Sequence, residues 1–509
     1  IYSSKIFGPI QINNIDTFMK TKLSRNMGIL GLTTTGICSM MGASIYVMPF
    51  MIHRSVPGIG PYVLPSFLLA ALPATLAAFA YSILASAMPR AGGSYIYASR
   101  GLHPYFGFVA SFSQWFGLSI VIGVISYIIV PFIRDIAFAL DWKEVASLLE
   151  IGWIRLIIAN ILLWTFVFVN ILGTNLYERT LVPLMFLMFG LGAIIIISGF
   201  YFTHEDFLAG LLVKDGRAHI AEPDIVFNVK TLFSAAAVLF ASFIGFDSIS
   251  QAGGEARNPS SSLPLAIAFA IIGVGTFYML FTAAVYHAIP WSFIAKEAIE
   301  NDITAPGLFH YLLSPGLSVA IVAGATIALI NDLPAMLLSV SRLMFAWAKD
   351  GIFPEKVSNI HSRFHTPHTA ILVSGGMASI GILGSHFAGD FFLGIDIMVT
   401  SMMVNFLFVC ITLVTLPKVN PTLANKISII RNRNVQQFLG WTGIITLTVF
   451  LLIHVWKDLS LNNVLWYHHS TIIYSIVMLI GSMIFFAKFD SLKKNGVNTV
   501  QLFQSLPNE

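Results

Sequence analysis

Three carboxylates stand inside long apolar stretches of this sequence: Asp247, Asp332 and Asp396. A charged group at the centre of a bilayer costs at least about 2.5–3.5 kcal/mol on insertion scales, so each one invites a functional interpretation. Asp332 precedes Arg342 by about 15 Å of helix, and it lies near the centre of a ~30 Å hydrocarbon core if Arg342 marks the membrane interface. We expect Asp332 to bind a cation or carry a proton. The alternatives are contact with an amine and a structural role, capping a helix break at Pro334.

Two of the apolar stretches contain glycines that are unfavourable in an unbroken helix. The first reads TTTGICSMMGASIYVMP, with Gly42 inside it, and the sixth reads FASFIGFDSISQAGGEARNP, with Gly245 inside it. Close helix packing is enough to explain a single glycine in a membrane. Interruptions at corresponding places in two five-helix halves are instead typical of transporters, where exposed N–H groups receive an anion and exposed carbonyls a cation. We therefore expect spans 1 and 6 to be discontinuous and to suit a zwitterion.

These residues must be positioned by helices that cross a membrane. The chain has 56% hydrophobic and 10% charged residues, far from a soluble globular composition. Its apolar stretches reach the roughly 20 residues that cross a hydrocarbon core, and they lack the alternation of a membrane barrel. We predict an all-α polytopic membrane protein with about twelve spans, at 28–52, 60–88, 104–133, 152–172, 180–201, 231–253, 263–289, 317–347, 368–387, 391–416, 437–456 and 465–487.

The distribution of positive charge predicts the orientation. Most of the 28 Lys and Arg residues fall in one set of alternate connections and in the two terminal segments. Because cytoplasmic loops carry the excess of Lys and Arg, both termini are expected in the cytoplasm of a multi-pass cell-membrane protein. The net charge of +4 then reflects membrane orientation. We expect the lipid bilayer as a partner and no nucleic acid.

Four segments in register resemble a known family. They are GASIYVMP from Gly42, MPRAGGSYIYASRGLHPYFGF from Met88, FIGFDSISQAGGEARNPSSSLPLAI from Phe243 and SRLMFAWAKDGIFP from Ser341. Together they resemble the amino acid–polyamine–organocation superfamily, and the sixth-span segment is most similar to its cationic amino acid transporter branch. The four matches cover spans 1 to 8, whereas spans 9 to 12 agree only in length and polarity.

The resemblance implies a fold of two inverted five-helix repeats, the LeuT-like fold, with two peripheral helices. We expect a cytoplasmic segment 1–26, a first repeat 27–201, an extracellular loop 202–230, a second repeat 231–417, a cytoplasmic linker 418–436, helices 11 and 12 in 437–488 and a cytoplasmic tail 489–509. It also implies a substrate site at the two helix breaks. By position, a carboxylate is received by the backbone of Gly42, Ala43 and Ser44, and an amino group by carbonyls around Ser39, Met40, Phe243 and Ile244, flanked by Gly245 and Phe246.

Departures from the family pattern bear on ion coupling. The lysine that many proton-linked members carry in span 5 falls on Met188, so a built-in cation is absent there. Asp332 falls where relatives have a small hydroxyl residue at a sodium site. Together with carbonyls near Cys38 and Met41, its carboxylate would complete an oxygen cage for a hard cation. Proton transfer by Asp332 remains open beside sodium binding.

Other polar and aromatic residues are expected to support the site. Asp247 is expected to brace the break in span 6 by accepting hydrogen bonds from backbone N–H groups. Phe240, with Phe243 and Phe246, flanks that break, so one of them is a candidate gate, with packing as the equal alternative. Gln114 and Trp115 in span 3 are expected to face a side-chain pocket. Arg342 and Asp350, with Arg90, are candidates for a salt-bridged inner gate or for charges that merely hold orientation.

Three functions remain open at this stage. The first is secondary transport of an amino acid or related amine, coupled to a proton or sodium gradient or driven by exchange. The second is transport of a polyamine or inorganic cation, and the third is a membrane sensor or partner protein that does not transport. No nucleophile elbow, phosphate-binding loop or Cys/His zinc pattern occurs in the sequence. We therefore expect no enzyme activity, no cofactor and no metal site of that kind.

Overall fold

The computed structural model describes residues 23–507 apart from 141, 220–224, 302, 389–390 and 462–464. Within these residues it contains helices and two isolated bridges, Met27 with Ala256 and Ala91 with Ala252. The α-helices, in chain order, are α1 Ile29–Met40, α2 Ala43–Ser55, α3 Val63–Ala87, α4 Gly93–Gly101, α5 Pro104–Ala139, α6 Lys143–Glu150, α7 Gly152–Ile171, α8 Thr174–Tyr201, α9 His204–Asp215, α10 Val229–Leu239, α11 Ser248–Gln251, α12 Pro259–Ala288, α13 Trp291–Glu300, α14 Ala305–Phe309, α15 Pro315–Lys349, α16 His368–Ala388, α17 Phe391–Val419, α18 Pro421–Ala424, α19 Arg433–Leu459, α20 Ser470–Lys494 and α21 Thr499–Gln504. Short 3₁₀ helices cover Gly60–Tyr62, Phe240–Phe243, Glu355–Ser358 and Trp466–His468.

In the described part of the chain, twelve helical segments are long and apolar enough to cross a membrane. This confirms the predicted all-α architecture and its number of spans. Two of the segments are each built from more than one helix: α1 with α2, and α10 with the 3₁₀ helix Phe240–Phe243 and α11. The other ten are α3, α5, α7, α8, α12, α15, α16, α17, α19 and α20.

Successive spans alternate in direction, which defines two sides of the protein. We call the side at which α1 begins the near side; it carries the connections 88–103, 252–258, 350–367 and 420–432. The opposite side is the far side, with the described residues of the connections between α5 and α7, between α8 and α10, and between α12 and α15. Both isolated bridges join near-side segments.

The long helix α5 lies at the centre of the bundle. It packs against α15, α16 and α17, while α1 packs against α8, α12 and α15. Helix α20 packs on α17 and α5 and leaves most of its surface uncovered, as a helix facing lipid would. The site described below lies between α1, α5, α15 and α17.

Three local features differ from the sequence-based expectation. The segment predicted as a loop at 202–230 contains α9, whose start is fixed by a capping box between Thr203 and Asp206. The predicted tail 489–509 contains α21.

Helix α15 continues through Pro334, which corrects the alternative that Asp332 caps a break there. A proline is tolerated in a spanning helix when the surrounding groups satisfy the freed backbone. The side-chain amide of Asn170 on α7 donates to the Pro334 carbonyl oxygen at 3.2 Å and ties the two helices together at this point. Of the predicted segment 1–26, the residues before 23 lie outside the described residues.

Candidate functional site

The first span is interrupted at its middle. Helix α1 ends at Met40, Gly42 caps the following helix in a non-helical conformation, and α2 begins at Ala43. The first N–H groups of a helix have no partner within it, so the start of α2 presents donors at the break. A Cβ added to Gly42 would overlap Oδ2 of Asp332, which means that only glycine allows this carboxylate to approach so closely.

The sixth span is interrupted beside the first. Helix α10 gives way to the 3₁₀ helix Phe240–Phe243, Ile244 is extended, and Gly245 has a φ of 134° that L side chains rarely adopt. A Cβ on Gly245 would overlap the carbonyl oxygen of Ser39. The Ser39 hydroxyl also lies 3.0 Å from the Ser248 hydroxyl. The two breaks therefore touch through backbone that tolerates no extra carbon.

Asp247 holds the second break in place. Its Oδ1 accepts a hydrogen bond from the Gly245 N–H at 3.1 Å, and its Oδ2 accepts one from the Gln114 side-chain amide. Gln114 Oε1 in turn accepts hydrogen bonds from Ser94 at 2.6 Å and Gln251 at 3.1 Å. This geometry suits the predicted bracing role for Asp247. Gln114, which was expected to face a pocket, instead belongs to a buried polar network.

Asp332 lies beside the first break and is buried, at 3% exposure. Its Oδ1 has no hydrogen-bond partner among the described residues. The neighbouring Asn331 donates from Nδ2 to Sγ of Cys38 at 2.8 Å. A buried acceptor without a partner is costly, so this oxygen is placed where a cation or proton would satisfy it. The structure thus places Asp332 against Gly42 and its neighbour Asn331 against the Cys38 thiol. The oxygen cage with carbonyls near Cys38 and Met41 stays a prediction.

A cavity of about 290 Å³ extends from the two breaks toward the far side. At its inner end lie Ser39, Met40, Ile244 and Asp332. At its far-side end lie charged residues at the ends of α5 and α7, namely Arg134, Asp135 and Arg155. Between these ends its wall is apolar and includes Met48, Met51, Val121, Val124, Ile125, Ile128, Ile395 and Met398, while Met336, one turn of α15 nearer the near side than Asp332, lines the inner end.

The aromatic residues singled out from the sequence do not line this cavity. Phe240 packs on Phe406, and Phe243 packs on Tyr278. Trp115 stacks on Phe112 and meets Trp347 at a ring-centroid distance of 5.9 Å. In this conformation these rings pack on neighbouring rings, and Trp115 does not line the cavity. Phe246 likewise lies against Tyr81 and Phe406. The gating role of one of the phenylalanines stays a prediction.

One of the predicted acceptors for an amino group already has a donor. The Met40 carbonyl oxygen accepts a hydrogen bond from the Tyr278 hydroxyl at 2.5 Å. Tyr278, on α12, was not singled out from the sequence. A carbonyl oxygen has two lone pairs, so the Met40 carbonyl can accept a second hydrogen bond. The carbonyls of Phe243 and Ile244 accept no side-chain hydrogen bond from the described residues, so they are the more available acceptors.

Two buried ion pairs lie on the near side. Arg100 binds Asp350 in bidentate fashion, with nitrogen–oxygen distances of 2.5 and 2.8 Å. Arg342 binds Glu255 in the same way, at 2.6 and 3.1 Å. All four side chains are at most 1% exposed. Burial of the Arg100 guanidinium acts to lower its pKa, but the Asp350 carboxylate outweighs this and leaves the pKa raised.

The end of the chain packs onto the same side. Arg90 and Arg100 donate from Nε to the carbonyl oxygens of Pro507 and Ser505, at 3.0 and 3.2 Å. The Arg100 guanidinium also lies 5.1 Å from the ring centroid of Phe503, which is buried. Thus one arginine serves both an ion pair and the C-terminal segment.

Some of these residues had a sequence signal and others had none. Arg342 and Asp350 were identified as candidate gate residues, whereas their partners Glu255 and Arg100 were not paired with them. Those partners lie 87 and 250 positions away in sequence. The only available signal was that a small number of charges adjoin the near-side ends of apolar spans. Arg90 takes part through the C-terminal segment and not through the ion pairs.

Comparison with known proteins identifies the family of this chain. The amino acid permease family matches residues 27–486, and the chain belongs to that family. The match extends past span 8 to the last spans. It includes both helix breaks, Asp332 and the two near-side ion pairs.

Individual relatives are distant. The vacuolar cationic amino acid transporter 2 of Arabidopsis thaliana is 27% identical over 70% of this chain and 54% of its own. The branched-chain amino acid permease of Bacillus subtilis is 25% identical over 71% and 75%. The human cationic amino acid transporter 4 is 24% identical over 71% and 55%. The chain thus spans about half the length of the two cationic transporters it matches.

Proposed function

We propose that this protein is a secondary transporter that moves amino acids or related amines across a membrane by alternating access. The observation that carries the proposal is that two interrupted helices meet at the inner end of a cavity reaching the far side, while buried ion pairs lie on the near side. Discontinuous helices of this kind are where transporters bind substrate. Family membership and relatives named for amino acids support the same cargo.

The proposed substrate is held mainly by backbone. Its carboxylate lies at the N–H groups of Gly42, Ala43 and Ser44, where the positive end of the α2 dipole favours an anion. Its amino group lies at the carbonyl oxygens of Phe243 and Ile244. Because Ile244 is extended, the helical hydrogen-bond pattern is interrupted at this point of the chain. These backbone groups bind the carboxylate and amino group that all amino acids share. The side chain of the substrate contacts the cavity wall.

We propose that the near side is cytoplasmic, so that the cavity faces outward in this conformation. The Lys and Arg distribution of the sequence supports this orientation. Residues 27–201 and 231–417 then form the two repeats that rock against each other. The near-side ion pairs, Arg100 with Asp350 and Arg342 with Glu255, form the inner gate that must separate when the substrate is released. The cell membrane is the proposed location.

Asp332 is the proposed coupling residue. It is buried, has an unpartnered oxygen and lies against the break in span 1. An ion bound to its carboxylate would therefore adjoin the backbone that binds the substrate. Sodium bound there would be held by oxygen ligands, as hard cations require. A proton would neutralise the carboxylate instead. Either way, ion binding stabilises the substrate-bound arrangement of the helix.

Transport itself is tested with purified protein in proteoliposomes. Labelled amino acids are supplied outside while the same unlabelled amino acids are held inside, and uptake is followed over time. A transporter exchanges label across the membrane, whereas a sensor binds without accumulation. Specific binding with no exchange and no uptake of any amino acid or amine would contradict the proposal.

Coupling is tested by the variant Asp332→Asn. The amide keeps the shape of the side chain but cannot carry the charge, so gradient-driven accumulation is expected to fall to background while exchange persists. Asp490→Asn, an exposed carboxylate on α20, is the matched control and is expected to accumulate substrate as the wild type does. Wild-type accumulation by Asp332→Asn in both proton and sodium gradients would remove Asp332 from the coupling site.

A further inference from the structure

We infer that the cavity selects amino acids whose side chain is neutral and apolar, such as leucine, isoleucine, valine and methionine, and that it disfavours arginine and lysine. The inference rests on the proposed function and deepens it by naming the class of substrate. It is drawn from the wall between the helix breaks and the far-side entrance, where the side chain of a bound amino acid would lie.

That wall is built from apolar side chains on facing helices. Helix α5 contributes Val121, Val124 and Ile125, and α17 contributes Met398 across the cavity, while Met336 on α15 closes its inner end one turn beyond Asp332. All five are 7% exposed or less, so they are packed into the bundle as well as facing the cavity. An aliphatic or thioether side chain placed among them exchanges water for apolar contact, which is favourable.

A cationic side chain finds no partner along that wall. Among the described lining residues, the carboxylates are Asp332 at the helix breaks and Asp135 at the entrance. Asp135 is already bound by Arg134 at 2.8 Å, and Arg155 adds a second guanidinium at the same end. A buried charge without a partner carries a heavy desolvation cost. An arginine or lysine side chain would therefore extend from the breaks through apolar surroundings toward two positive groups.

Asp332 does not supply the missing partner on this geometry. Its Oδ2 lies against Gly42, at the point where the backbone of the substrate is proposed to bind. A substrate side chain extends away from its own backbone groups, and hence away from Asp332. A long cation could reach this carboxylate only by giving up the N–H groups at the start of α2.

The methionines lead to a prediction about how many different substrates the cavity accepts. Met40, Met48, Met51, Met336 and Met398 all line the cavity. Unbranched thioether side chains adjust to ligands of different shape, as they do at promiscuous binding surfaces. We therefore expect valine, leucine, isoleucine and methionine to compete with apparent affinities within about tenfold of one another. That is the weakest discrimination that a hydrophobic pocket typically achieves for one methylene group.

The first experiment measures competition by unlabelled amino acids. Full-length protein in proteoliposomes takes up labelled leucine, and in parallel labelled arginine, with each common L-amino acid as competitor. We expect leucine uptake that is inhibited by valine, isoleucine and methionine and not by arginine or lysine. Arginine or lysine uptake exceeding leucine uptake would overturn the inference while leaving amino acid transport intact. Uptake of no amino acid at all would instead count against the proposed function, and the inference would fall with it.

The second experiment tests the wall directly. Met398→Ala and Met336→Ala remove thioether contacts, so the apparent affinity for leucine is expected to fall about tenfold, with a smaller loss for the larger phenylalanine. Met483→Ala, on the exposed face of α20, is the matched control. Monodispersity and thermal unfolding show that each variant is folded. Equal losses for leucine and phenylalanine, or none for either, in a folded variant would show that these methionines do not shape the side-chain site.

Discussion

The far-side half and the near-side half of this bundle are stabilised in different ways. The far-side half surrounds a cavity with apolar side chains and keeps its charged residues at the entrance, where Arg134 and Asp135 are partly exposed. The near-side half buries two ion pairs instead, Arg100 with Asp350 and Arg342 with Glu255. Apolar walls separate at little electrostatic cost, whereas buried ion pairs need their partners or water. Under the proposed function, the far-side half is the open one in this conformation and the ion pairs hold the near-side half closed.

The largest expected effect comes from removing one member of a near-side pair. Asp350→Leu leaves Arg100 buried without its carboxylate, which typically costs about 3–5 kcal/mol. We expect the near side to relieve this by opening, so amide hydrogen exchange in α4 and in 252–258 should rise at least about a hundredfold. Hydrogen-exchange mass spectrometry of the reconstituted protein measures it.

The double variant Arg100→Met with Asp350→Leu is the control for that effect. Replacing a buried pair by apolar residues of similar volume is often neutral or stabilising, so near-side protection should return. If Asp350→Leu leaves exchange unchanged, or if the double variant remains as open as the single one, the ion pair is not what fastens the near side.

The next effect concerns the inner end of the cavity. In Gly42→Ala the new carbon would overlap the Asp332 carboxylate, so the break must shift; overpacking of this kind typically costs about 1–3 kcal/mol. We expect uptake to fall at least tenfold with the near side still protected. Gly273→Ala, where no atom lies within 4 Å of the added carbon, is the matched control. Wild-type uptake by Gly42→Ala would mean that this close approach is not needed.

A smaller effect is expected at the C-terminal segment. A chain that ends at residue 498 loses the hydrogen bonds to the carbonyls of Ser505 and Pro507 and the packing of Phe503 on Arg100. Each hydrogen bond contributes about 0.5–1.5 kcal/mol net, and the Arg100–Asp350 pair remains. Near-side exchange should therefore rise by about tenfold, less than in Asp350→Leu. Gln501→Ala, an exposed position on α21, should change nothing. Exchange equal to that of Asp350→Leu would assign the closure to the tail.

The smallest effect compares two ion pairs of equal length. Arg217 and Glu297 on the far side are 2.6 Å apart, as are Arg342 and Glu255 on the near side, but the Arg217 side chain is 45% exposed. Exposed pairs contribute about 0–1 kcal/mol. Glu297→Gln should hardly move the thermal unfolding midpoint, whereas Glu255→Gln should lower it clearly. Equal shifts for the two variants would show that burial does not distinguish these pairs.

Sequence reasoning identified the membrane elements and the break at Gly42 because length, hydropathy and glycine placement are local signals. It placed Asp332 beside span 1 through a register count in the family resemblance. It did not find Tyr278 on the Met40 carbonyl or the partners of Arg342 and Asp350, since these contacts join distant parts of the chain. Sequence reasoning also did not predict which way the side chains of Phe240 and Trp115 point. For Phe240 the reason is local: a 3₁₀ helix and Gly245 interrupt the chain between α10 and α11, so helical periodicity no longer assigns faces there. For Trp115, on the unbroken helix α5, periodicity does not tell which neighbouring helix each face meets.

The most direct test of alternating access is hydrogen exchange on both sides of the reconstituted wild-type protein, with and without a mixture of the common L-amino acids. The peptides to follow are those covering 128–137 at the far-side entrance and 93–101 on the near side. Alternating access requires changes of opposite sign, with exchange falling at the entrance and rising on the near side once substrate is present. Exchange that falls on both sides, or changes at the entrance alone, would contradict alternating access and would leave a binding protein that does not open to the near side.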